Sequence, residues 1–140
     1  AQLVRECDAL LAPHGCGALA EALWRTAVSH GGRLVRVDAA ARALGVTREH
    51  LARTLAGGGG PGPKTLLELV RLLAVRALLA RGATGARAAA ALGYASPSHL
   101  VRVAKRVTGA TPAAWGGVGA AALVAAAVAR GRAPNAGATL

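Results

Sequence analysis

One pattern occurs twice in the chain and constrains the fold more than any other feature. Residues 44–53 read LGVTREHLAR, and residues 92–102 read LGYASPSHLVR. Each is preceded by a short alanine-rich run, closes on Leu-Gly, turns through a few residues to a Thr or Ser, and continues with His-Leu-x-Arg. Allowing one extra turn residue in the second copy, Thr47, His50, Leu51 and Arg53 match Ser96, His99, Leu100 and Arg102. Such a spacing is what a helix-turn-helix requires. A small residue in the first helix admits a close crossing, a glycine permits the turn, and a leucine fixes the second helix to the core. Ala41 and Ala89, Gly45 and Gly93, and Leu51 and Leu100 occupy those places.

The intervening and flanking sequence reads as helix throughout. Leu19, Leu23 and Ala27, flanked by Trp24 and Val28, form an apolar face over 18–29, closed by Gly31-Gly32. Asp38 is the expected N-cap of a short helix ending at Gly45, and Thr47 caps the next, which runs into Gly57–Gly60. From Lys64 to about Ala80, apolar residues at 66, 69, 70, 73 and 77 predict a long connecting helix interrupted by Glu68, Arg71 and Arg76. Thr84 and Ser96 cap two further helices, and Pro112 is expected to open a last one reaching Arg130, followed by a disordered tail. The expected fold class is therefore all-α: two helix-turn-helix subdomains, as homeodomain-like three-helix units, joined by a long linker helix. The first helix-turn-helix spans about 38–56, the linker 64–80 and the second about 84–107, within a domain over 17–116. Residues 1–16 read as an extension or the remnant of an upstream region, and the missing initiator Met points to processing or to a fragment.

Charge supplies the first functional hint. The chain carries +11 overall; residues 71–140 hold nine basic residues and no acidic one, against eight and six in residues 1–70. Such a surface attracts polyanions, with nucleic acid and anionic lipid as the candidates. The outward face of the first second-helix offers Arg48, Glu49 and Arg53; that of the second offers Ser98, His99, Arg102, Lys105 and Arg106. Arginine can fork onto guanine, Ser, Thr and Lys mainly hold phosphates, and the helix starts at Thr47 and Ser96 add partial positive charge. Simpler readings stand beside these: Glu49 and Arg53 have the spacing of an intrahelical ion pair, and His50 and His99 adjoin core leucines and suit packing or capping.

Other chemistries find little support. Cys7, His14 and Cys16 lack a second ligand pair at zinc spacing, and no cofactor or metal is expected. GGGGPGPKT has Pro63 between Gly62 and Lys64 and follows a helix, unlike a phosphate-binding loop. The six acidic residues all precede position 69 and form no catalytic set, so no enzyme is expected. Val107–Ala129 is uncharged over 23 residues, but its Ala and Gly content is too weakly apolar to drive membrane insertion. With no signal peptide, a reducing cytoplasm is the expected compartment.

The segment LGYASPSHLVRVAKRVTGATPAAW resembles the second-unit signature of the AraC/XylS family of transcription regulators: Gly-Phe, Ser-x-Ser, Arg, Phe-Lys and Gly-x-Thr-Pro. Here those positions are Gly93-Tyr94, Ser96 and Ser98, Arg102, Ala104-Lys105, and Gly109 to Pro112. Arg71 with Leu78-Leu79 is similar to the family's linker-helix pattern. Ala104 stands where an aromatic is usual, and in the first unit Leu55-Ala56 replaces Phe-Lys. The resemblance implies a bacterial regulator binding double-stranded DNA through two recognition helices in successive major-groove segments, with RNA polymerase as a further partner. The competing reading is a basic helical protein-interaction or membrane-surface domain, which has no need of the repeated T/S-x-x-H-L-x-R pattern.

Overall fold

The computed structural model describes residue 7 and residues 9–132, with only the backbone of Arg132. Among the described residues the α-helices are α1 (Ala18–Ser29), α2 (Val37–Ala43), α3 (Arg48–Gly57), α4 (Pro63–Ala80), α5 (Gly85–Ala91), α6 (Pro97–Thr108) and α7 (Ala120–Arg132), with no strand. Two short 3-10 turns, Ala12–His14 and Pro112–Trp115, complete the described elements. The tail 133–140, expected to be disordered, lies outside the described residues.

The linker helix is the centre of the molecule. Alpha4 packs against each of the other six helices, and Leu66, Leu67, Leu69, Val70, Leu72, Leu73 and Val75 are all buried. Burying each such side chain contributes about 1.5–3 kcal/mol before the opposing conformational entropy. The apolar stripe expected from the sequence is therefore too narrow a description. With α1–α3 on one side and α5–α7 on the other, the middle of α4 has almost no solvent face.

Alpha1 lies along α4 and buries Ala20, Leu23, Trp24, Ala27 and Val28. The Trp24 indole N–H donates to the Cys7 carbonyl oxygen at 2.6 Å, which ties the start of the chain to this helix. The chain then reverses so closely to α4 that a Cβ on Gly32 would stand 2.9 Å from Ala74 Cβ and 3.1 Å from Arg71 Cα. The glycine-rich connection before α4 is gripped from both ends of the chain. A Cβ on Gly58 would meet the Cys16 carbonyl oxygen at 2.6 Å, and one on Gly131 of α7 would meet Pro61 at 3.0 Å.

Two local expectations need correction. Alpha2 begins at Val37 with Arg36 as its N-cap, so Asp38 sits in the first turn. It pairs with Arg36 at 3.1 Å on the exposed surface instead of capping the helix. The anticipated helix from Pro112 to Arg130 is two elements, because Gly116, Gly117 and Gly119 interrupt it after a single 3-10 turn. No helix of the described residues is long and apolar enough to cross a membrane.

Candidate nucleic-acid interface

The two repeated segments fold into two turns with the same backbone connections. In the first, Gly45 has φ +71° and Val46 N–H donates to the Ala41 carbonyl at 3.1 Å. In the second, Gly93 has φ +78° and Tyr94 N–H donates to the Ala89 carbonyl at 2.9 Å. This left-handed conformation is strained for a residue with a Cβ, so glycine is required at both positions. The caps also correspond. Thr47 Oγ1 accepts from His50 N–H and Ser96 Oγ from His99 N–H, each at 3.0 Å. Behind them Ala41, Ala89, Leu51 and Leu100 are buried.

With those residues turned inward, α3 and α6 present their remaining sides to solvent. Thr47, Arg48, Glu49, His50 and Arg53 are exposed on the first, and Ser98, Arg102, Lys105 and Arg106 on the second. Ser96 is half-buried. The possible Glu49–Arg53 ion pair does not form; the ion pairs among the described residues are Arg36–Asp38 and Arg71–Glu68. The α6 face is thus a cationic strip without carboxylate partners among the described residues. Alpha6 also has a sharply divided cross-section, with Leu100, Val103, Ala104 and Val107 buried behind that strip.

His99 divides the two faces. It is half-buried, its Nδ1 is enclosed without a hydrogen-bond partner, and its ring meets Tyr94 edge-on at 5.7 Å between centroids. Ala104, where an aromatic residue is usual, is buried on the inner side of α6.

A polar cluster not anticipated as a unit from the sequence anchors the second turn. Arg71 on α4, only 8% exposed, donates through Nε to the Leu92 carbonyl oxygen at 2.8 Å. Its guanidinium pairs with Glu68 at 3.5 Å, and Tyr94 Oη donates to the other Glu68 oxygen at 2.7 Å. Burial, followed by the adjacent Glu68 charge, pushes the Tyr94 phenol well above the usual tyrosine range. The first turn has Val46 in the corresponding place and no such clamp. The available signal was Glu68 and Arg71 at i,i+3 within a leucine run; by itself it reads as a surface pair.

Residues 58–62 join α3 to α4, unlike a strand-to-helix phosphate loop. Among the described residues no group of three His, Cys, Asp or Glu side chains is placed to hold a metal ion. Cys7 and Cys16 are both buried and are not joined by a disulfide.

A family model described as a helix-turn-helix domain matches residues 40–116. The chain belongs to the AraC/XylS family. No curated protein and no solved structure gives a match. The matched span begins within α2, contains both turns and all of α4, and ends just after the Pro112–Trp115 turn. As an AraC/XylS protein the chain is a DNA-binding transcription regulator, and DNA is its partner. Alpha1 and α7 lie outside the matched span yet pack directly on α4.

Proposed function

We propose that the protein reads double-stranded DNA in a sequence-specific manner, with α3 and α6 entering successive major-groove segments about 34 Å apart. The observation that carries this reading is the equivalence of the two turns in hydrogen bonding and capping, each leaving the outer face of its second helix free. A single charged surface would serve nonspecific attraction equally well; two copies of one reading geometry would not be needed for it.

On this reading Arg102, Arg48 and Arg53 face base edges, where a guanidinium can take guanine O6 and N7 together. Glu49 accepts from an exocyclic amine, and His99 offers its outer edge to the groove. Lys105, Arg106, Ser98, Thr47 and Ser96 hold phosphates and set the register. The domain that does this spans 17–116, with 1–16 and 117–140 as flanking segments. The regulator acts in the bacterial cytoplasm on nucleoid DNA, and RNA polymerase is its second partner.

Selection from a random duplex library at two salt concentrations tests the proposal. Two short enriched motifs about one helical turn apart are expected. Salt-sensitive binding with no enriched motif would overturn base readout and favour a basic helical interaction domain.

A further inference from the structure

Beside the N-terminal half of α6 lies a cleft of about 600 Å³ walled by Leu79, Pro97, Leu100, Val101, Pro112 and Ala113. Val101 on this wall is 41% exposed, an unusual position for a valine on an otherwise polar helix face. Leu79 and Pro112 are shared with a second cavity of about 250 Å³, which adds Arg76 and Trp115 to its walls. The two spaces therefore adjoin, one apolar and the other cationic.

Arg76 is half-buried, and its Nε donates to the Val118 carbonyl at 3.1 Å. No ion pair among the described residues involves it. No acidic residue occurs after Glu68 in the sequence, so the second half of the chain has none to offer it. A guanidinium has five N–H donors, and holding its charge partly away from water without a counter-ion is unfavourable. Trp115, on the same wall, is buried, and its Nε1 has no hydrogen-bond partner among the described residues. The Arg76 guanidinium favours an anion, and the neighbouring cleft favours a hydrocarbon body.

We propose that these joined cavities bind a small amphipathic carboxylate. Its apolar chain lies among Leu79, Leu100, Val101 and Pro112, and its carboxylate takes the free fork of Arg76. The larger cleft, about 600 Å³, falls within the range of about 300–1,000 Å³ typical of small-ligand sites, and a planar carboxylate matches the guanidinium geometry. The ligand would touch Leu100 and Val101, immediately before Arg102 on α6. This inference concerns ligand binding alone and does not depend on DNA readout.

The test titrates the whole protein, without DNA, with octanoate, 1-octanol and acetate while following the two indole N–H resonances. Octanoate should shift Trp115 saturably and leave Trp24, which faces Cys7 in the other half of the molecule, unchanged. The uncharged alcohol should bind about tenfold more weakly because it lacks the ionic contact, and acetate more weakly still. Arg76→Gln should reduce octanoate to the level of octanol. Equal affinity for octanoate and octanol in the unmodified protein, or no Trp115 shift at about 10 mM, would overturn the proposal without need of any variant.

Discussion

The guanidinium carbon of Arg71 lies 3.6 Å from the centre of the Tyr94 ring. Arg71 belongs to the central helix and Tyr94 to the turn before α6, so this stacked pair is where the spine of the molecule fixes the angle of its more cationic helix. Glu68 closes the arrangement by accepting from both. Cation–π contact, ion pair and backbone hydrogen bond thus converge on one arginine.

Removing Arg71 should be costly because it leaves the Glu68 carboxylate uncompensated. Arg71→Ala is expected to lose about 3–5 kcal/mol of unfolding free energy in urea titration. The double variant Glu68→Gln, Arg71→Met should recover part of that loss by removing both charges. Equal stability for Arg71→Ala and the parent would show that the clamp does not hold the turn.

Tyr94 is the sole tyrosine in the chain, so its ionisation can be followed directly by phenolate absorbance. Its folded-state pKa is raised above the ordinary 10.0, first by burial and then by Glu68. The stability linked to its proton is complete below the unfolded value and declines as pH rises beyond about 10. Tyr94→Phe should flatten that alkaline decline relative to the parent, and phenolate absorbance should appear only together with unfolding. Phenolate formation near pH 10 in the folded protein would contradict the buried, Glu68-bonded phenol.

Gly32→Ala should destabilise the protein by about 2–4 kcal/mol, combining overpacking against Ala74 and Arg71 with left-handed backbone strain. Gly57→Ala provides the contrast, because a Cβ there meets nothing within 4 Å and lies at the end of α3. It should be neutral or stabilising by up to about 1 kcal/mol. Thermal melts of the two variants measure the difference.

Arg102→Ala and Lys105→Ala separate base reading from phosphate contact. The first should weaken binding to a selected site by about 1–3 kcal/mol more than binding to scrambled duplex. The second should weaken both alike and reduce the salt slope by about one. Parallel losses on both duplexes for Arg102→Ala would remove it from base readout.

The repeated segments were legible because each role is restricted to few residue types. Gly45 and Gly93 adopt positive φ, Thr47 and Ser96 bond the third amide onward, and Leu51 and Leu100 are buried, as their spacing indicates. Periodicity was a poorer guide where a helix is enclosed on all sides. In α4, Leu67, Leu72 and Val75 fall off the expected stripe and are nonetheless buried by helices distant in sequence. Glu68 and Arg71 looked like interruptions for the same reason, since their partners Tyr94 and Leu92 lie more than twenty residues away. At Asp38, capping chemistry competed with Val37, which packs against the core and opens the helix two residues before the start an Asp38 cap would set. The cleft beside Val101 had no sequence signature, because its walls come from α4, α6 and the Pro112 turn.

Because α4 is shared on all sides, the protein cannot be divided into two independent readers. A fragment ending before α4 would lose the surface on which α1 rests, and one beginning at α4 would present a row of leucines to water. The same sharing seats α3 and α6 on one continuous helix. On the proposed two-helix reading the molecule is a fixed-gap calliper, and an operator lengthened by one base pair between its half-sites would itself have to twist or bend to fit.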